Sequence, residues 1–342
     1  MVWVCGFGAA ASVDEPPASD QATRERMEKL FKMSVEELAH TEIVPLNVLG
    51  SHTHFQGEWM VGYNFMFMDM RGNLDGTRDV SVSEVLQKYP VAHTAMSMQM
   101  HMFELMYAPT ERLTLMAMGQ YKLNSMDHQT TNANFTARSE GFGDSSVMAL
   151  YQLLGYGRRY GNQLFLNAGL SLPTGAIDAE DLGSLLEYSL QLGSGTFDLL
   201  PGLTYVGQTE DLVWGAQARG TIRLGENDHE YRLGNAYRIN LWSSYRVTDW
   251  FGPSVRLDWQ QWGNVAGADP ALDPLKNPAF DANKQSGRRL DALIGLNFYA
   301  DRGFLKGHRL SLEAGIPVYQ YIAGPNLKAD WMATISWSYV FR

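Results

Sequence analysis

Between Gly57 and Met126 the chain alternates two kinds of residue with a period of two, and that alternation constrains its fold more than any other feature. In 57–70 one set is Trp59, Val61, Tyr63, Phe65 and Phe67, and the other is Met60, Gly62, Asn64, Met66, Met68 and Met70. In 95–107, Met96, Met98, Met100, Met102, Glu104 and Met106 stand opposite Phe103, Leu105 and Tyr107. In 112–126, Met116 and Met118 share a side with Thr114, Gln120, Lys122 and Asn124, against Leu113, Leu115 and Tyr121. Successive side chains point to opposite faces only in a strand, so these are three strands with one aromatic or aliphatic face and one methionine face.

The alternation continues to the C-terminus in segments of roughly ten residues, a length suited to a tilted transmembrane strand. Short connections at 108–111, 155–162, 207–211, 247–250 and 300–307 are interleaved with longer ones at 71–94, 127–143, 173–195, 225–230, 263–285 and 322–328. That asymmetry predicts an all-β, antiparallel, up-and-down transmembrane barrel of about twelve strands, with tight periplasmic turns and long outer loops. A soluble sandwich also alternates, but it buries its apolar face. Here Trp59, Tyr107, Trp250, Trp259, Trp331 and Tyr339 fall near segment ends on or beside the apolar face, where interfacial girdles belong. The final segment, with Trp331, Ala333, Ile335, Trp337, Tyr339 and Phe341 on one face, resembles the signal read by the barrel-assembly machinery, although Arg342 follows it.

Composition narrows the functional classes. A net charge of −10 argues against nucleic acid as partner. The single cysteine, Cys5, removes disulfides and thiolate chemistry from the body of the chain. The sequence contains no Gly-x-Ser-x-Gly elbow, His-Glu-x-x-His, Walker loop or Rossmann fingerprint, so an enzyme is not expected. Residues 1–12, ending in Ala9-Ala10-Ala11, read as a signal-peptide remnant. Residues 13–56 read as a linker and a short periplasmic amphipathic helix, and 57–342 as the outer-membrane barrel of a Gram-negative-type bacterium. The helix pattern, Met27, Leu30, Phe31, Val35 and Leu38, marks 20–45 as a candidate periplasmic partner site. Ser34-Val35-Glu36-Glu37-Leu38 with Glu42-Ile43-Val44 resembles the segment ahead of the plug in TonB-dependent receptors, but no plug follows.

Three pieces carry a more extensive likeness: Gly141-Phe142-Gly143-Asp144, Gly169-Leu170-Ser171-Leu172-Pro173-Thr174-Gly175 and Gln191-Leu192-Gly193-Ser194-Gly195-Thr196-Phe197-Asp198. In this order they resemble outer-membrane barrels of the MetA-pathway-of-phenol-degradation type. The resemblance implies a channel with small hydrophobic or aromatic cargo, set among membrane lipid and lipopolysaccharide.

With the aromatic faces toward lipid, Met60, Met66, Met68, Met70, Met96, Met98, Met100, Met102, Glu104, Met106, Met116 and Met118 are expected to line the lumen. Arg219, Arg238, Arg256, Asp258 and Glu313 are expected on the opposite wall, beside Arg223, Asp291 and Arg309. Charges of both signs are tolerated in a water-filled lumen and costly in lipid. The methionines have two readings. Flexible thioethers make a greasy lining for apolar solutes or fill a small lumen. They are also soft ligands for Cu(I), which Met98, Met100, Met102, Met116 and Met118 with His52 and His54 could bind; His93, His101 and His128 would extend the path. A closed structural barrel that docks a partner is the third alternative.

Overall fold

A computed structural model describes residues 47–155, 161–300 and 303–342. The predicted helix, the partner segment 20–45 and the signal remnant, apart from residues 47–56 discussed below, lie outside these. Thirteen principal β-segments follow in order: β1 Trp59–Gly76, β2 Val91–Thr110, β3 Leu113–Thr130, β4 Asn134–Phe142, β5 Ser145–Leu154, β6 Gly161–Leu172, β7 Phe197–Leu199, β8 Gly202–Gln208, β9 Leu212–Leu224, β10 Ala236–Tyr245, β11 Phe251–Trp262, β12 Gly287–Tyr299 and β13 His308–Phe341.

The ladder runs β1–β2–β3–β5–β6–β8–β9–β10–β11–β12–β13 and returns to β1, every pairing antiparallel. Closure leaves the ladder itself without an edge strand, the condition for strands to cross a bilayer. These are eleven named strands among the described residues, but β13 serves twice. Its first arm pairs with β12 up to Ile322, and its second pairs with β1 from Asn326 to Phe341, with Ile322 also opposite Gly76. The arms meet each other: the Val340 amide donates to the Gly307 carbonyl at 3.2 Å, and Gln320 and Ala329 exchange hydrogen bonds of 2.8 and 2.9 Å. The barrel therefore has twelve crossings.

Two crossings are built in two pieces. β4 pairs with the outer half of β3 and β5 with its inner half, with the break at Gly143-Asp144. β7 and β8 share the space between β6 and β9 in the same way. The structure corrects three predicted loops. Segment 127–143 is mostly the β3–β4 hairpin, 322–328 is a tight reversal within β13, and 71–94 holds a strand at Arg78–Val80 and a helical turn at Val82–Leu86. In the two hairpins the polar or glycine content interrupts the apolar pattern while the backbone pairing continues; in 71–94 the pairing resumes after the helical turn, at Val91.

Sidedness follows the alternation. Phe103, Leu105, Leu115, Val147, Leu166, Leu203, Ile239, Leu257, Ile294 and Ile335 are all exposed on the outer face. An apolar surface this extensive needs lipid or a partner to cover it. Trp59 stacks on Tyr107 at 4.3 Å at the short-connection end, and Tyr339 stacks on His308 at 4.5 Å.

Candidate functional site: the barrel interior

The interior has a floor, a chamber and a lid. The floor lies toward the short connections. Met60, Met106, Met116 and Met148 are direct cross-strand partners on β1, β2, β3 and β5, a row of four thioethers across four adjacent strands. Direct partners have Cβ atoms about 5 Å apart, so these side chains meet. All four are buried, with Leu150, Phe165, Val206, Val213, Trp242 and Val340, around Val48. The indole of Trp242 lies over Gly215, where a Cβ would come within 2.1 Å of the ring. Burying four Met side chains alone is worth on the order of 6–12 kcal/mol.

Val48 belongs to residues 47–56, which the sequence places in a periplasmic linker but which thread the lumen. The carbonyl of Gly50 accepts from Asn167 Nδ2 at 3.1 Å and from Gln217 Nε2 at 3.2 Å. The His54 amide donates to Thr114 Oγ1 at 3.1 Å, Asn47 Nδ2 donates to Ser311 Oγ at 3.1 Å, and Ser336 donates to Asn47. Polar side chains on the inner faces of four strands, β3, β6, β9 and both arms of β13, thus hold a segment that would otherwise lack water. Alternation cannot reveal this, because the segment is irregular.

The lid is the connection between β6 and β7, folded inward so that Leu186 and Leu190 pack on Met96, Met126 and Ala137. The three family-like motifs converge here. Asp144 Oδ1 accepts the Gly175 amide at 3.0 Å, and its Oδ2 accepts the Ser194 amide at 2.8 Å and the Ser194 hydroxyl at 2.7 Å. Thr196 Oγ1 donates to Asp198 Oδ1 at 2.8 Å, and Arg223 pairs with the other Asp198 oxygen. Gly193 has no room for a side chain, since a Cβ would lie 2.2 Å from the Gly175 carbonyl oxygen. Lys122 Nζ and Ser139 Oγ donate to the carbonyls of Leu192 and Leu190 at 2.7 and 2.6 Å.

Between them lies a chamber of about 370 Å³. Met66, Met100, Met102 and Met118 line one wall, and Arg219, Arg238, Arg256, Asn240 and Gln260 line the other. Val48 and Leu49 lie at its base. Arg238 Nε donates to Asp258 Oδ1 at 2.8 Å; Arg256 bonds Glu313 Oε2 at 3.1 Å and Asn240 Oδ1 at 2.9 Å. Arg219 differs: among the described residues no carboxylate lies within ion-pair distance, and its Nη1 reaches only the Leu49 carbonyl, at 3.4 Å. Glu104 is the cross-strand partner of Gly62 and Met118, and Gly62 leaves it room.

The predicted lumenal residues are thus distributed over three levels. Met60, Met106 and Met116 are in the floor; Met66, Met100, Met102 and Met118 are in the chamber; Met68, Met70, Met96 and Met98 lie above it, where Met68 is opposite Met98 and Met332, and Met70 is opposite Met96. The proposed copper ligands divide accordingly and do not form one cluster. His52 and His54 sit at the floor with ring centroids 5.1 Å apart. His101 is not lumenal: it faces outward, its Nδ1 2.7 Å from the Tyr63 hydroxyl and its ring against Phe65. Met126, Met148, Phe165 and Trp242 were missed, although the first two fall on the same period of two.

The sequence profile of the family described as Putative MetA-pathway of phenol degradation matches residues 120–314. No curated protein matches the sequence. Among solved structures, an outer membrane channel from Pseudomonas putida F1 superimposes with a TM-score of 0.61 at 15% identity, over 88% of this chain and 100% of that one. The P. putida toluene transporter TodX gives 0.44 at 11% identity, over 86% of this chain and 92% of its own. The KdgM porin gives 0.37 at 11%, over 83% and 99%. The fold is that of an outer-membrane channel barrel, and by the profile match over more than half of its length the chain belongs to the family described as Putative MetA-pathway of phenol degradation.

Proposed function

We propose that the protein is an outer-membrane channel for small, largely apolar or aromatic solutes that carry one polar or anionic group. The observation that carries this reading is the two-sided chamber. Four thioethers offer a deformable, polarizable wall to a ring or short chain. Across from them, Arg219 offers a guanidinium with no carboxylate in ion-pair contact among the described residues, suited to a carboxylate or phenolate. The exposed apolar belt supports placement in a bilayer, and the family's description supports aromatic cargo. The volume suits a single-ring compound, which fits the lower end of ligand-pocket sizes. Passage requires residues 47–56 and the 173–196 connection to yield, since the first forms the chamber's base and the second packs inward on Met96 and Met126. Benzoate flux into proteoliposomes at pH 8, compared between wild type and Arg219→Glu, tests the reading: flux should be well above protein-free vesicles and fall about tenfold in the variant, a loss on the scale of one charge-assisted hydrogen bond.

A second reading, soft-metal handling, is favoured by one observation at the floor. The in-register row Met60, Met106, Met116 and Met148 lies at the same end as His52 and His54, and His52 Nδ1, His52 Nε2 and His54 Nε2 are buried with no hydrogen-bond partner among the described residues. Thioether and imidazole are the donor set that Cu(I) prefers. Competition for Cu(I) against a chelator, with Met106→Leu/Met116→Leu as comparison, tests it; unchanged affinity in that variant removes the idea.

A further inference from the structure

At the outer end of the barrel, away from chamber and floor, three buried side chains from three separate segments converge. His93 is near the start of β2, His128 is near the end of β3, and Glu187 is in the 173–196 connection. Their ligand atoms all lie within 4.8 Å of one another. His93 Nε2 is 2.9 Å from Glu187 Oε2, and His128 Nε2 is 3.8 Å from the same oxygen.

Geometry around the three is that of a held ligand set. His128 Nδ1 lies 3.1 Å from the Met126 carbonyl, which can only accept, so Nδ1 carries a proton and Nε2 is the nitrogen turned to the carboxylate. At 3.8 Å from Glu187 Oε2, His128 Nε2 is beyond hydrogen-bond distance, which leaves space for a cation between imidazole and carboxylate. The ring is held flat against Phe135, centroids 4.7 Å apart and planes within 1°. Glu187 is fixed from both sides: Ser189 Oγ donates to Oε1 at 2.9 Å, and Asn277 Nδ2 donates to Oε2 at 3.0 Å. Such outer partners are what orient metal-binding imidazoles and carboxylates.

We propose that His93, His128 and Glu187 form a binding site for a divalent cation of the zinc class, which fastens the 173–196 and 263–285 connections over the barrel mouth. Two imidazoles and one carboxylate suit zinc and leave one position for water. Magnesium and calcium, which require oxygen ligands, are excluded by the two nitrogens. On binding, the cation takes the place of the proton on His93 Nε2, which leaves to solvent. A cavity of about 630 Å³ between the two connections, lined in part by His128, Glu187, Asp181 and Asp273, gives the cation a path in. Asn277 belongs to the 263–285 connection, so a cation on Glu187 couples both connections to the two strands. This site is independent of the cargo proposed above.

The test is zinc titration of the full-length, untagged protein in detergent, read by competition with a chromophoric chelator. Wild type should bind one equivalent at micromolar or lower concentration. His128→Gln and His93→Gln should each weaken binding about a hundredfold or more, and Asn277→Ala about tenfold, in proteins that still show the heat-modifiable mobility of a folded barrel. His229→Gln, in the neighbouring His229–Asp269 pair, should leave it unchanged. Zinc should also slow proteolysis of 173–196 in wild type but not in His128→Gln. Absence of stoichiometric zinc in wild type, equal zinc in the folded His93→Gln/His128→Gln protein, or equally tight magnesium would each overturn the proposal.

Discussion

Gln217 on β9 donates to the carbonyl of Gly50 at 3.2 Å, and this contact fixes residues 47–56 inside the barrel. Asn167 on β6 donates to the same oxygen at 3.1 Å. Both side chains are buried, so losing either leaves the carbonyl short of a partner where water is scarce, at about 1–3 kcal/mol. Asn167→Ala/Gln217→Ala should free the segment without unfolding the barrel. Planar-bilayer recordings should show larger or more frequent openings, and 47–56 should become protease-sensitive. Openings identical to wild type would mean that the floor does not depend on this anchor.

Asp144 is the corresponding anchor of the lid. Asp144→Ala removes the acceptor for the amides of Gly175 and Ser194 and for the Ser194 hydroxyl together. Limited proteolysis should then cut within 173–196 at least tenfold faster while the strands stay protected, on the scale of one to two lost buried bonds.

Much of this was legible in the chain, for a physical reason. Lipid on one side and lumen on the other impose a strict period of two, so the pairing of Phe65 and Phe67 against Met66 and Met68 reports sidedness directly. The two-sided pattern of Arg238, Asp258 and Arg256 was equally readable as inward charge. Contacts made by irregular backbone were not. Nothing in Gly50 announces that Gln217 and Asn167 hold its carbonyl, and nothing in Asp144 announces Gly175 and Ser194, although the motifs carrying all three were visible. His93, His128 and Glu187 are separated by 35 and 59 residues, and only the inward fold of one connection brings the third to the other two.

Arg256 and Glu313 test the charged wall. Both are buried, so Arg256→Met strands Glu313 and part of the Asp258 charge, and should cost about 3–5 kcal/mol. Arg256→Met/Glu313→Leu should recover most of that. Urea unfolding in micelles, followed by gel mobility, distinguishes the two; a double variant as unstable as the single one would contradict the pairing.

Tyr231 gives the outer connections a pH dependence. It is buried against Tyr188, ring centroids 4.9 Å apart, and burial pushes its hydroxyl up to about 12. The unfolded value is about 10, so the folded form holds its proton more tightly. Stability from this group is therefore constant below pH 10 and falls as pH rises from about 10 to 12. Proteolysis of 225–235 should accelerate over that window in wild type and less so in Tyr231→Phe.

The central claim is that solutes cross through a chamber with a thioether wall facing Arg219. Benzoate influx into proteoliposomes at pH 8, measured for wild type, Arg219→Glu and Met100→Glu/Met102→Glu, tests it most directly. The account predicts influx well above protein-free vesicles for wild type and a drop of about tenfold or more in each variant, with all three barrels folded. Influx no greater than that of empty vesicles, or equal in all three proteins, would contradict it.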